Sequence, residues 1–177
     1  MNHDEQLDGD RDQFLKQFGS VVEHSPWVAE AVWNEHNRAA RSYDFESLVD
    51  AFGRVIRSAP EETQLELLSA HPDLACGVVA SSALSRESKE EQEGAGLDRC
   101  SPQEFIEFQT LNIEYRKDFG FPFIIAVRGM NRREILKSFH RRIERSKEKE
   151  FATAIENVIR IIGYRIANIL SGKEQVE

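Results

Sequence analysis

Cysteine is scarce: Cys76 and Cys100 are the two in a chain of 177 residues. Two cysteines cannot build a disulfide framework, and the usage fits a reducing compartment, so both are expected as thiols. Long apolar runs are missing too. None approaches the ~18 residues that span a bilayer. The start, MNHDEQLDGDRDQ, is acidic and has no hydrophobic segment, so no signal peptide is expected, and the final KEQVE is not a Ser-Lys-Leu tail. These absences predict a cytoplasmic protein. Positive charge is in deficit, with 23 Lys and Arg against 31 Asp and Glu, a net charge of −8. That excludes a nucleic-acid binder drawing its affinity from phosphate contacts. An acidic small-molecule substrate stays possible, because a buried site sets its own local field.

Familiar chemical signatures are lacking as well. There is no HExxH, phosphate loop, GxSxG or paired CxxC. His140 and Glu144 are four residues apart, but two ligands do not make a metal site. His3, His24 and His36 have no supporting set. No metal site is expected.

What is present is helical periodicity almost throughout, with little strand-type alternation. Ser101-Pro102-Gln103-Glu104 is a capping box with proline at the first helical position, and its helix closes at Gly120. Asn131-Arg132-Arg133-Glu134 is a second, weaker box. Ser25-Pro26 opens WVAEAVWNEH, Ala59-Pro60 opens a leucine-rich helix, and a long final helix ends near Gly172. Residues 77–98 have loop character, although their middle can form a short helix. No linker or repeat divides the chain. The pattern predicts an all-α fold, a single-domain bundle of about eight to ten helices over residues 10–172, with a disordered N-terminal tail at 1–9 and a C-terminal tail at 173–177.

Four places break the pattern. In SAHPDLA, His71 ends the leucine-rich helix one residue before Pro72. Proline disfavours helical geometry in its predecessor and suits the first position of a new helix. A fixed imidazole suits catalysis; a capping or surface histidine is the plainer alternative. In SKEEQ, a helix would place Ser88, Glu91 and Gln92 on one face, a hydroxyl, a carboxylate and an amide together. The alternative is a solvated charged turn. Arg165 interrupts the stripe Ile155, Val158, Ile162, Ile169. A guanidinium is rarely buried unpaired, so Arg165 either snorkels outward or faces an internal cavity holding a carboxylate. In FGFPFIIAVRG, Pro122 is expected to open a short helix whose first amides lack intrahelical partners, with Phe121 and Phe123 as apolar walls. A core helix without a ligand is the alternative.

HPDLA, SKEEQEGAGL and FGFPFIIAVRG occur in the order found in the 2-oxo-4-hydroxy-4-carboxy-5-ureidoimidazoline (OHCU) decarboxylases of urate degradation, which the chain resembles. FLKQFGSVVEHSPWVAEAVW (14–33) and the late arginine are similar too, and the resemblance spans roughly residues 12–171. It implies an all-α, cofactor-free carboxy-lyase, usually homodimeric, that forms (S)-allantoin. It puts His71 in the catalytic position, with Pro72 beside it, and gives Glu91 of the Ser-x-x-Glu-Gln motif a catalytic role as well. It gives Pro72, Ser88, Gln92, the backbone of Phe123, Ile124, Ile125, Ala126 and Val127, and Arg165 to substrate binding. No nucleic-acid or membrane partner follows from it. Two rival readings stand apart: a non-catalytic helical protein binding a carboxylated small molecule through Arg165, and a carboxylate-histidine metal enzyme.

Overall fold

The structure, a computed structural model, describes residues 3–36, 44–74, 76 and 84–172, with side chains from residue 11 onward. The described residues form eight α-helices and no strand. The 1–2, 37–43, 77–83 and 173–177 stretches, and Ala75, lie outside them. That leaves aside the C-terminal tail and the first part of the expected loop. Among the described residues, no helix is long and apolar enough to cross a membrane.

Chain contacts divide the protein into two units, residues 1–67 with 159–177, and residues 68–158. The first holds α1 (His3–Phe18), α2 (Trp27–His36), α3 (Phe45–Ser58) and most of α4 (Glu61–Ser69), with the later half of α8 (Lys147–Leu170). Helix α3 shows why this unit folds. Leu48, Ala51, Phe52, Val55 and Ile56 recur at helical spacing and all are buried. Asp44 caps the helix by accepting the Ser47 amide at 2.8 Å. Phe14 packs against Phe18 and Trp33, ring centroids 5.0 and 5.4 Å away.

The second unit holds α5 (Arg86–Gly94), a 3-10 turn (Leu97–Arg99), α6 (Pro102–Phe119), α7 (Arg132–Ile143) and the first half of α8. Both predicted capping boxes are present. Ser101 and Glu104 exchange bonds at the start of α6, and Asn131 and Glu134 do so at the start of α7. Gly120 ends α6 with φ 85°, a left-handed geometry that glycine adopts without steric cost. The core is aromatic. Tyr115 stands edge-on to Phe121, Phe123 and Phe139, and Phe123 stacks on Phe139 at 3.8 Å.

Three sequence expectations need correction. Pro72 opens no helix at 72–74, which are irregular. Pro122 opens none either: 122–127 run as irregular backbone between α6 and the turn at Gly129. With Phe123, Ile124 and Val127 all buried, the run gains little from a helix with a single apolar face, and long-range side-chain bonds replace the intrahelical ones. Cys76 and Cys100 are not thiols but a disulfide, their Cα atoms 5.8 Å apart. That separation is within bridging range, and a spacing of 24 residues gives no sign of it. Cysteine usage therefore no longer argues for a reducing compartment.

Candidate active site

Helix α4 stops at Ser69, as the proline two residues beyond His71's neighbour Ala70 requires, and the His71 amide donates to Leu68 O at 3.2 Å to close the last turn. His71 itself is buried, 9% exposed. The segment after it is braced from α6. Arg116 Nε donates to Asp73 Oδ1 at 2.8 Å, and Asn112 Nδ2 donates to Leu74 O at 3.0 Å. Asn112 and Arg116 are four residues apart, so one helical face holds both. Beyond Leu74, the Cys76–Cys100 bond ties the same segment to the residue preceding the α6 cap. The stiffness expected from His-Pro is therefore reinforced by bonds that come from distant residues.

Ser88, Glu91 and Gln92 do share a helix, α5, capped by Ser85, whose hydroxyl accepts the Ser88 amide at 3.2 Å. Ser88 and Gln92 are buried and Glu91 is half-buried. Apart from those residues α5 is Arg, Glu, Lys and Gly, so it has no hydrophobic reason to bury a face. Its inner side is polar by composition, a hydroxyl and an amide turned away from solvent. The exit from α5 is fixed as well. Gly96 takes φ 77°, and Arg132 Nη1 donates to Gly96 O at 2.9 Å.

The segment 121–127 is clamped through its backbone. Arg142 Nη1 donates to Ile124 O at 2.8 Å, and the Ala126 amide donates to Asn157 Oδ1 at 3.1 Å. Arg142 Nε and the Tyr115 hydroxyl both donate to Glu150 Oε1 at 2.6 Å. The Arg142 guanidinium also sits over the Phe123 ring, 4.4 Å from its centroid. Arg142, Glu150 and Tyr115 are all buried. Burial, then the bond to the Glu150 carboxylate, pushes the Tyr115 hydroxyl far above its ordinary value, so it remains a donor. Phe121 and Phe123 are 2% and 1% exposed. Their rings belong to the aromatic core and are not open walls. Ile125 is the half-buried residue of the strip.

His71, Pro72, Ser88, Glu91, Gln92 and Phe123–Val127 thus belong to one unit, and Arg165 belongs to the other. Arg165 does not snorkel. It is 4% exposed, and its Nη1 donates to Glu23 Oε2 at 3.1 Å and to Val21 O at 3.3 Å. The carboxylate anticipated for it is supplied by the protein. Among the described residues no three His, Cys, Asp or Glu side chains gather as a metal site, and His140 Nε2 lies 2.7 Å from Glu107 Oε1.

Sequence reasoning missed Arg142, Glu150, Tyr115, Asn157 and Asn112. The first two lie in the charged run HRRIERSKEKE, where a buried charge looks like its solvated neighbours.

Comparison with known proteins adds a frame to this geometry. The family model described as OHCU decarboxylase matches residues 8–167. A Haloferax volcanii protein named 2-oxo-4-hydroxy-4-carboxy-5-ureidoimidazoline decarboxylase is 40% identical over 167 residues, covering 93% of each chain. A Bacillus subtilis uric acid degradation bifunctional protein is 36% identical over 162 residues, 90% of this chain and 31% of that one. A solved structure titled (S)-allantoin synthase superposes with a TM-score of 0.71 at 28% identity, covering 96% of this chain and 54% of the other.

Proposed function

The chain belongs to the OHCU decarboxylase family, and from that premise we propose that it converts 2-oxo-4-hydroxy-4-carboxy-5-ureidoimidazoline to (S)-allantoin in urate degradation. The observation that carries this reading is a family match over nearly the whole chain that includes HPDLA, SKEEQ and FPFIIAV, all in the unit spanning residues 68–158. The reaction is that of a single domain over residues 10–172, and the enzyme works in the cytoplasm as a homodimer, the oligomeric state usual in the family.

The chemistry asks little beyond placement. The scissile carboxylate is on a ring carbon that also bears a hydroxyl. When the C–C bond breaks and CO₂ leaves, the electron pair flows into the ring's conjugated C=N system. That internal sink makes the reaction cofactor-free. What the protein supplies is a fixed ring, an oriented carboxylate and one proton delivered to one face. In our reading His71 polarises the hydroxyl and gives the proton, and Glu91 orients the imidazole or a ureido N–H. Ser88 and Gln92, the polar inner side of α5, bind ureido and ring heteroatoms. Pro72 and the Phe123–Val127 backbone line the pocket, where the strip amides hold ring oxygens or a carboxylate; for Arg165 the family resemblance implies a substrate contact. The Glu23 pair fixes the guanidinium of Arg165 in advance.

The test is turnover of freshly generated substrate by wild type and His71→Asn. The variant is expected to fold and to lose about 10²–10⁴-fold in rate, the range for a positioned general acid. A variant within a few-fold of wild type would remove His71 from the mechanism.

A further inference from the structure

The Arg142 assembly is larger than packing requires. A buried ion pair gives little net stability over apolar residues of similar volume. Here a fully buried carboxylate, a guanidinium and a phenol are committed to one place, the carbonyl of Ile124 and the ring of Phe123. The peptide unit gives that bond a further effect. Because the group is planar and trans, the N–H of Ile125 points opposite to the C=O of Ile124. By taking the carbonyl, Arg142 turns the Ile125 amide away from the aromatic core. Ile125 is also the residue of 121–127 with partial exposure. On the next peptide, Asn157 takes the Ala126 amide, so the two neighbouring N–H groups have separate destinations.

We propose that Arg142, fixed by Glu150 and Tyr115, is a positioning residue for the decarboxylation, setting the Ile124–Ile125 peptide so that the Ile125 N–H is aimed at the substrate. This rests on the reading that the Phe123–Val127 backbone lines the pocket, and it identifies which amide matters and what aims it. Arg142 touches no reacting atom. It acts through the backbone, so its loss affects binding and orientation before chemistry.

Arg142→Lys keeps the charge but cannot span Glu150 and the Ile124 carbonyl with one rigid fork. Its KM should rise by about tenfold or more while kcat changes by less than about threefold, the pattern of lost binding shared by ground and transition states. Tyr115→Phe keeps the aromatic packing and removes one of the two donors to Glu150 Oε1, so a KM rise of about two- to fivefold is expected. It carries the test where Arg142→Lys does not fold. An independent readout is the amide resonance of Ile125 during titration with (S)-allantoin. It should shift in wild type and shift much less in either variant. Wild-type KM and a wild-type shift in a folded variant would overturn the positioning role while leaving the decarboxylase reading intact. No turnover by wild type would instead overturn both, and the two failures are told apart by the wild-type assay alone.

Discussion

At the scale of single residues, Arg165 best separates structure from function. It is buried against Glu23, so removing its charge takes a close counter-charge away from an interior carboxylate. Arg165→Met should therefore cost about 3–5 kcal/mol in thermal or denaturant unfolding. Arg165→Lys keeps a point charge for Glu23 and loses the planar fork, so it should fold and bind substrate more weakly. If Arg165→Lys has wild-type KM, the residue holds the unit together and has no part in the site. The sequence revealed the anomaly, a guanidinium on an apolar stripe, because helical spacing is local information. It could not reveal the partner, because Glu23 lies 142 residues away. The same holds for His71. Its proline neighbour is legible in the sequence, while the Asn112 and Arg116 braces come from another helix and are not.

At the scale of elements, caps and periodicity located most helices. Ser101 and Asn131 begin α6 and α7 with the boxes their sequences spell out, and Pro26 and Pro60 lie directly before α2 and α4. Where the reading failed, a long-range partner won. Pro122 carries a good local start signal, yet Arg142 and Asn157 satisfy the strip's backbone and the aromatic core takes its side chains. The disulfide is the other long-range feature. It closes a span of 24 residues that contains the whole of α5 and ends beside the α6 cap. Chain entropy alone gives a loop of that length roughly 3 kcal/mol. Cys100→Ser should lower the melting temperature by roughly 10 °C, taking a few degrees per kcal/mol for a domain of this size. The same fall should follow full reduction of wild type, and thiol titration of the native protein should find no free cysteine. Two titratable thiols with unchanged melting would contradict the pairing.

At the scale of the whole molecule, the account is that an all-α chain of the OHCU decarboxylase family uses rigid, mostly buried polar groups to hold one ring in one orientation. Rate is a weak test of that claim. The substrate loses CO₂ slowly in water, and a general-acid surface without a shaped pocket could speed the loss. Orientation is the stricter test, because a proton delivered from one side yields one enantiomer. The measurement is circular dichroism of freshly generated substrate, read before allantoin racemises and with EDTA present throughout. The account predicts an early (S)-allantoin signal at full rate with the enzyme, and a racemate without it. Racemic product despite faster CO₂ release, or a signal that EDTA abolishes and added metal restores, would contradict it.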